Sequence, residues 1–377
     1  MNTVALPPRD IENDLWTLLA STERPVLLYG MGNGADKLIA RLSLFGKDVA
    51  DVFASDGFVR GQSFHGKRVI SFSEAKEKYE DPIILVSFGT ALRDVLQAVF
   101  AIEASYELYV PDMPIAGDAY FTKEFYAENY DKFLRVYEIL RDDASKDLYA
   151  NLLWYKLTGA PLYLRNAVHT GDERALLGYD GMRCAVDVGA YRGDTLAELL
   201  ENAPMLQTIF LLEPDAKNFK KLSAYAETVE EKELLLFNAA AWNENGTLSF
   251  SSSGNRNATL AGDGNLAGTA SFEHRTTAVE TVKIDNIIEG RFVDYIKYDT
   301  EGAEMAALEG SLETIERFHP ALKVSVYHRS EDLFALPLWV WERMGEKYAY
   351  YLRRRLSIPA WVIELIAVPN DQSTKGT

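Results

Sequence analysis

Asp187, Glu213 and Asn238 each stand at or just after the end of an apolar segment with the length of a buried strand. Strands that alternate with helices in a parallel sheet carry their carboxyl ends at one edge, where ligands bind in open α/β folds. The three predicted strands are 184–188, 208–212 and 234–237. Their spacing predicts one ligand site built from three strand ends.

A glycine-containing turn follows Asp187. Glycines lacking Cβ let the backbone approach a ligand closely, and the free N–H groups where the next helix starts favour a carboxylate or phosphate. Thr195, with Glu198 three residues later, predicts a capping box at the start of that helix. The turn residues expected to surround a ligand are Gly189, Ala190, Tyr191, Gly193 and Thr195.

The chemistry of these strand ends fits S-adenosylmethionine. Glu213 stands where a carboxylate binds ribose hydroxyls, and Asn238 with Ala239 could bound an adenine ring. The ligand has no pyrophosphate, so the compact three-glycine fingerprint is not required, and Asp187 could pair with the ammonium of its amino acid end. The alternative is that Asp187 and Glu213 are only a helix cap and a solvated strand end.

Two further strand ends bring acids and a histidine to the same edge. Asp299 and Glu301 follow the predicted strand 293–298 and could hold substrate hydroxyls, face the sulfonium or bind a divalent cation. Two oxygens alone do not make a magnesium site, so no metal is predicted. His328 follows the strand 321–327 and could accept a proton from an attacking hydroxyl near pH 7. We expect His328 and Glu301 to be catalytic and Asp299 to lie beside the cofactor; a structural histidine is the alternative.

Alternating apolar segments and helical patterns over residues 1–110 predict a small parallel α/β domain. Its first strand runs into a turn that contains three glycines, Gly30, Gly32 and Gly34. This turn departs from the G-x-G-x-x-G pattern, although an acid, Asp51 or Asp56, stands at about the distance expected downstream. A nucleotide or nucleotide sugar, NAD, or tight packing without a ligand would each account for the glycines.

The rest of the chain separates into a linker and a second α/β domain. Aromatic residues at helical spacing predict a helical linker over 111–180. Residues 181–377 return to alternating strands and helices, and two apolar segments, 348–356 and 361–368, lie too close together for a parallel crossover. A mostly parallel sheet with an antiparallel C-terminal hairpin is the class I methyltransferase pattern. Residues 251–277, rich in Ser, Gly, Asn and Thr, are expected to form a loop that covers the substrate.

Composition bears on the expected partners and on the expected cellular location of the protein. The chain has 39 basic and 56 acidic residues, a net charge of −17, and such a surface repels phosphate backbones, so we expect no nucleic-acid partner. The single cysteine, Cys184, cannot form an internal disulfide. No signal peptide and no membrane span are apparent, so a cytoplasmic location is expected.

Three motifs resemble the FkbM-type methyltransferases: VDVGAYRGDT at 186–195, LEP at 212–214 and KYDTEGAE at 297–304. The pair Tyr327 and His328 also fits, and the resemblance extends over roughly residues 180–369. It implies a Rossmann-like methyltransferase sheet, S-adenosylmethionine as methyl donor, and usually O-methylation of a sugar or natural-product hydroxyl. The N-terminal domain is similar to small Rossmann-like modules of sugar-modifying enzymes.

The function expected from these observations is S-adenosylmethionine-dependent O-methyl transfer to a small-molecule or glycan acceptor. The acceptor hydroxyl would belong to a sugar, glycan, sugar nucleotide or related metabolite. One alternative is a nucleotide-sugar binding or scaffold protein whose methyltransferase-like domain is catalytically idle. Another is an NAD-dependent enzyme centred on Gly30, Gly32 and Gly34.

Overall fold

Two parallel sheets organise the chain, each in its own unit. The computed structural model describes residues 4–252, 259–260 and 275–370. The first unit comprises the described residues of 1–114, 119–169 and 354–363, and the second those of 115–118, 170–353 and 364–377. The predicted linker 111–180 does form helices, and its residues 119–169 group with the first unit.

Short apolar segments form the sheet of the first unit. Its strands are β1 (Val26–Tyr29), β2 (Asp51–Ala54), β3 (Ser63–Phe64), β4 (Lys67–Arg68), β5 (Ile70–Ser71), β6 (Ile83–Val86) and β7 (Glu107–Tyr109). Five of them make one sheet in the order β5-β2-β1-β6-β7, and each neighbouring pair in it is parallel. Strands β1, β2 and β6 are buried at every position, as expected of parallel strands covered on both faces. The predicted small parallel α/β domain is present.

Seven helices belong to this unit: α1 (Leu15–Ser21), α2 (Asn33–Ser43), α3 (Phe72–Lys78), α4 (Arg93–Glu103), α5 (Lys123–Ile139), α6 (Asp143–Thr158) and α7 (Pro161–Asn166). Side chains cap the long pair, since Thr122 accepts the N–H of Phe125 and Asp142 accepts that of Ser145. Helix α6 ends at Gly159, whose φ of 65° suits a left-handed cap.

The second unit contains a seven-stranded sheet and a small four-stranded one. The strands are β8 (Cys184–Val188), β9 (Thr208–Leu212), β10 (Glu233–Phe237), β11 (Ala240–Ala241), β12 (Gly246–Ser252), β13 (Thr259–Leu260), β14 (Arg275–Val282), β15 (Tyr295–Tyr298), β16 (Ala321–Ser325), β17 (Tyr348–Arg354) and β18 (Ile363–Pro369). The large sheet has the order β10-β9-β8-β15-β16-β18-β17. Strands β10, β9, β8, β15 and β16 pair in parallel, whereas β18 is antiparallel to β16. This confirms the predicted class I methyltransferase sheet.

The helices of the second unit are α8 (Glu173–Leu176), α9 (Asp194–Asn202), α10 (Ala216–Ala226), α11 (Ile284–Ile288), α12 (Glu304–Glu309), α13 (Leu312–Phe318) and α14 (Asp332–Met344). Helices α12 and α13 are separated at Gly310, where a Cβ would lie 1.9 Å from the carbonyl oxygen of Trp242. No helix among the described residues has the length and apolar character needed to cross a membrane.

The expectation of one long loop over 251–277 is wrong at both ends and at 259–260, which form β13. Residues 251–252 finish β12, and residues 275–277 begin β14, which pairs antiparallel with β12 along its whole length. Residues 253–258 and 261–274 lie outside the described part of the chain, so the predicted substrate cover stays a prediction.

Candidate active site

A cavity of about 340 Å³ opens at the carboxyl edge of the large sheet, where β8, β9, β10 and β15 end. Its walls come from the last residues of those strands and from the residues that follow them, as expected for a ligand crevice in an α/β sheet. The predicted site residues that line it are Gly189, Tyr191, Glu213, Ala239, Asp299 and Glu301. Lys297, Asp194 and Asn218 also line it and were not expected there.

The turn after β8 requires glycine at two positions. Gly189 has a φ of 87°, and a Cβ there would lie 1.9 Å from the carbonyl oxygen of Asp299. Gly193 has a φ of 95°, and its Cβ would lie 2.6 Å from Cδ1 of Tyr225. Both backbone positions are therefore closed to side chains, and the turn passes directly beside the end of β15.

Gly193, rather than Thr195, starts the following helix. It is the N-cap of α9 in a left-handed conformation, and no side chain caps that end. Thr195 is buried inside the helix, and Glu198 accepts a hydrogen bond from the Tyr179 hydroxyl at 3.1 Å. The predicted capping box is therefore wrong, because the glycine turn ends two residues earlier. Neither Thr195 nor Ala190 lines the cavity, although the Ala190 N–H anchors the turn to the Leu212 carbonyl at 2.9 Å.

Glu213 is buried and held by the backbone. Its Oε2 accepts the N–H of Tyr191 and its Oε1 accepts the N–H of Asp215, both at 2.8 Å. Burial raises the pKa of Glu213 to about 7, although these two N–H groups act in the opposite direction. The exposed Asn238 does not line the cavity; its amide donates to the carbonyl of Glu213 at 2.8 Å and supports this loop.

A buried lysine stands between two predicted acids. Lys297 Nζ lies 3.3 Å from Asp187 Oδ1 and 3.6 Å from Asp299 Oδ2. Asp187 has no exposed surface and does not line the cavity, whereas Lys297 does. Burial raises the pKa of Asp187 despite the neighbouring ammonium. Lysine is rarely buried unless it is paired with an acid. A lysine inside an apolar strand was therefore the signal in the sequence that could have indicated the role of Lys297.

An imidazole and three carboxylates meet after β15 and β16. His328 is almost fully buried, with Nδ1 at 2.9 Å from Glu304 Oε1 and Nε2 at 3.5 Å from Glu301 Oε2 and 3.6 Å from Asp299 Oδ1. The Glu304 carboxylate also accepts the N–H groups of Thr300 at 2.7 Å and of the following Gly302 at 3.1 Å. Glu304 thus fixes both the acidic loop and the imidazole.

Electrostatics assign different protonation states to these groups. Burial alone lowers the pKa of His328, but the carboxylates around it, Glu304 foremost, outweigh burial and raise the pKa to about 10. Glu304 has a lowered pKa because His328 and backbone N–H groups overcome the effect of burial. Burial raises the pKa of Glu301 to about 7. Near neutral pH, His328 is therefore protonated, Glu304 is ionised and Glu301 exchanges its proton readily.

Two residues from the predicted linker support this loop. The N–H groups of Ile115 and Ala116 both donate to the His328 carbonyl, at 3.1 and 2.9 Å. A Cβ on Gly302 would lie 2.6 Å from Cβ of Ala116, so this glycine is needed for the close approach. The segment 115–118 belongs to the second unit, although the chain on either side belongs to the first. Nothing in its composition indicated this role.

Residues 187–350 match the family model described as Methyltransferase FkbM domain. This part of the chain is similar to an FkbM methyltransferase domain, and we call it the FkbM domain. The structure of a Methyltransferase FkbM from Methylobacillus flagellatus KT is similar over 97% of this chain and 94% of that chain, with 20% identity and a TM-score of 0.67. At that identity the likeness shows a shared fold.

Two further solved structures cover about half of this chain. An rRNA methylase from Streptococcus thermophilus matches 52% of this chain and 93% of its own, with 11% identity and a TM-score of 0.34. A Streptococcus mutans protein in complex with SAH matches 52% and 94%, with 11% identity and a TM-score of 0.33. No curated protein matches the chain.

The acids of the FkbM domain include one set that could hold a metal ion. Asp299, Glu304 and His328 each offer a ligand atom, and these atoms lie within 4.8 Å of one another. Both oxygens of Glu304 already accept backbone N–H groups, and its Oε1 faces the protonated imidazole. The observed contacts fit an imidazolium paired with carboxylates, and no step below uses a metal.

Outside the FkbM domain, packing explains two glycines of the N-terminal turn. A Cβ on Gly30 would lie 2.5 Å from Cδ1 of Phe88, and one on Gly34 would lie 2.1 Å from the carbonyl oxygen of Ser87. Gly32 has no atom within 4 Å of the corresponding position. The first and third glycines therefore let the turn pack against the end of β6.

The acids proposed to accompany that turn are engaged elsewhere. Asp51 begins β2 instead of ending it, and its Oδ2 accepts hydrogen bonds from Lys78 at 2.6 Å and Tyr79 at 2.7 Å. Asp56 follows β2 but accepts the hydroxyl and the N–H of Ser73, at 2.6 and 3.1 Å. Asp51 thus lies at the edge opposite the glycine turn, because parallel strands begin there.

Proposed function

We propose that this protein is an S-adenosylmethionine-dependent O-methyltransferase that acts on a hydroxyl of a sugar, glycan, sugar nucleotide or related metabolite. The FkbM domain supports methyl transfer, and the cavity supports the donor. The observation that carries the proposal is the convergence of the Gly189 turn, the Glu213 carboxylate and the Glu301 carboxylate on one cavity at the carboxyl edge of the sheet.

The residues present fit the donor. Gly189 leaves no side chain between the turn and the ligand, and the N–H groups that begin α9 favour a carboxylate. Each Glu213 oxygen uses one lone-pair direction for a backbone N–H and keeps another for a ribose hydroxyl. Ala239, Ala240 and Ala241 line the cavity with small apolar side chains that suit an adenine ring. When bound, the donor supplies an electrophilic methyl group on a sulfonium.

Glu301 is the residue that we assign as general base. It lines the cavity, its φ of 56° is unusual for a non-glycine residue, and such backbone strain concentrates at functional sites. Its raised pKa of about 7 suits proton transfer near neutral pH. His328 already carries a proton, so its role is to hold Glu301 and Asp299 in place by charge. The sequence predicted catalytic roles for both His328 and Glu301, whereas this assignment gives them different roles.

Incubation with methyl-labelled donor and a panel of sugars, glycans and sugar nucleotides tests the reaction. With wild type, mass spectrometry should show a product that carries the labelled methyl group as a methyl ether. Glu301→Gln should lower turnover by roughly 100-fold or more, while its affinity for the donor stays within about threefold of wild type. Turnover should rise with pH through about 7, where Glu301 loses its proton, and the variant should lose this rise.

Glu309→Gln is the matched control, because Glu309 ends α12 on the exposed surface and does not line the cavity. Donor binding without turnover on any hydroxylated compound would contradict the proposal and favour the binding or scaffold alternative. Full activity of Glu301→Gln would remove Glu301 from the mechanism. A nucleotide or nucleotide sugar at Gly30, Gly32 and Gly34 is a separate proposal, tested by titrating such ligands against wild type.

A further inference from the structure

We propose that Lys297 recognises the carboxylate of the donor's amino acid end, and that it makes the site select donors with an intact amino acid. The inference rests on the proposed function, since it concerns the same cavity. It assigns to a lysine inside a strand a contact with the carboxylate, which the sequence predicted only for the free N–H groups of the turn.

The position of Lys297 in the sheet supports this role. Strand β15 lies between β8 and β16, and Lys297 is in register with Asp187 on one side and Lys323 on the other. All three residues are buried, yet only Lys297 lines the cavity. The Asp187 carboxylate therefore lies behind the ammonium, and the ligand meets Lys297 first.

The ammonium has hydrogen-bonding capacity left. A lysine offers three N–H donors, and among the residues that the structure describes only the Asp187 oxygen, at 3.3 Å, is within hydrogen-bond range of Lys297 Nζ. The Asp299 oxygen at 3.6 Å is beyond that range, although its charge still holds the ammonium in place. At least one N–H group remains for an oxygen of a ligand in the cavity.

The charges around the cavity fit a zwitterion. Lys297 is the only cationic side chain among the described residues that line it, whereas Asp194, Glu213, Asp299 and Glu301 are acidic. Asp299 is the nearest of these acids to Lys297 and is suited to the ammonium of an amino acid. A carboxylate in the same cavity then has Lys297 as its charged partner, beside the N–H groups of the glycine turn.

The alternative role for Lys297 is to neutralise Asp187 and Asp299 without touching the ligand. The two roles differ in their dependence on the donor's carboxylate. A lysine that binds the carboxylate stabilises S-adenosylhomocysteine but not its decarboxylated analogue. A lysine that only positions the acids affects both ligands to the same extent.

Calorimetric titration of both ligands into wild type and variants measures this difference. Wild type should bind S-adenosylhomocysteine at least about tenfold more tightly than the decarboxylated analogue, and Lys297→Met should reduce that ratio to about threefold or less. Lys323→Met is the control, since Lys323 is equally buried and pairs with Glu364 at 2.9 Å but does not line the cavity. It should retain the wild-type ratio.

Lys297→Met leaves Asp187 buried without its partner, so the double variant Asp187→Asn/Lys297→Met provides a second measurement that removes both charges. A wild-type ratio near one, or a tenfold ratio retained in the variants without Lys297, overturns the inference while leaving the proposed function intact. Wild type that binds neither S-adenosylhomocysteine nor S-adenosylmethionine overturns the proposed function itself.

Discussion

Replacing Glu213 by glutamine should weaken donor binding in a way that the structure makes quantitative. The carboxylate lines the cavity and accepts the N–H groups of Tyr191 and Asp215, one on each oxygen, so each oxygen keeps a further lone pair. A glutamine keeps one oxygen, and its NH₂ group must face a backbone N–H that also needs an acceptor. The variant therefore loses one acceptor for the ribose and one bond that shapes the turn.

The loss of a hydrogen bond to a charged group amounts to about 1.5–3 kcal/mol, which is roughly a 10- to 150-fold rise in Kd. The pKa of Glu213 adds a second signature. Because burial raises it to about 7, the carboxylate that accepts ribose hydroxyls forms only as pH rises through that value. Affinity of wild type should increase from about pH 6 to about pH 8 by roughly threefold to tenfold, and Glu213→Gln should lack this increase.

Calorimetric titration with S-adenosylhomocysteine at both pH values is the assay. Glu198→Gln is the control, since Glu198 lies on the neighbouring α9, accepts the Tyr179 hydroxyl and does not line the cavity. A Glu213→Gln protein that binds within about threefold of wild type, with the same dependence on pH, would refute the ribose assignment.

Three other substitutions test the framework of the site. Gly189→Ala should lower the free energy of unfolding, measured by urea denaturation, by about 3 kcal/mol or more, because the new Cβ would meet the Asp299 carbonyl. Gly178→Ala is the control; Gly178 also has a positive φ but lies in open space, so this variant should lose only about 1–2 kcal/mol. Glu304→Gln and His328→Gln should each cost about 3–5 kcal/mol near pH 7, and the double variant less than their sum. Because the pKa of Glu304 is lowered, its contribution to stability is lost as pH falls below the ordinary carboxyl range. Because the pKa of His328 is raised, its contribution to stability is lost as pH rises from about 6.5 towards 10. Equal losses of stability at all pH values would contradict the pairing.

The parallel strands were predictable because strands covered on both faces are continuous apolar segments. Segments 184–188 and 208–212 coincide with β8 and β9 for this reason. Helix α4 was not predicted, although Leu96, Val99 and Ile102 have helical spacing and are buried. The break between α12 and α13 had no local signal, since Gly310 is required there by the backbone of Trp242.

Residue types at the strand ends predicted most of the residues that line the cavity. The register between strands determines which further residues reach it. Lys297 reaches the cavity because β15 pairs with β8 so that it stands opposite Asp187, a relation that one sequence does not contain. The protonation of His328 could not be predicted either, because it depends on Glu304 being 2.9 Å away across a folded loop. The same holds for the support that Ala116 gives to His328 from a distant part of the chain.

Equilibrium binding of S-adenosylmethionine to the wild-type protein tests the central claim most directly. The account predicts one site per chain, competition by S-adenosylhomocysteine, and no displacement by NADH or by a sugar nucleotide. Absence of binding at millimolar donor, or displacement of the donor by NADH, would contradict it.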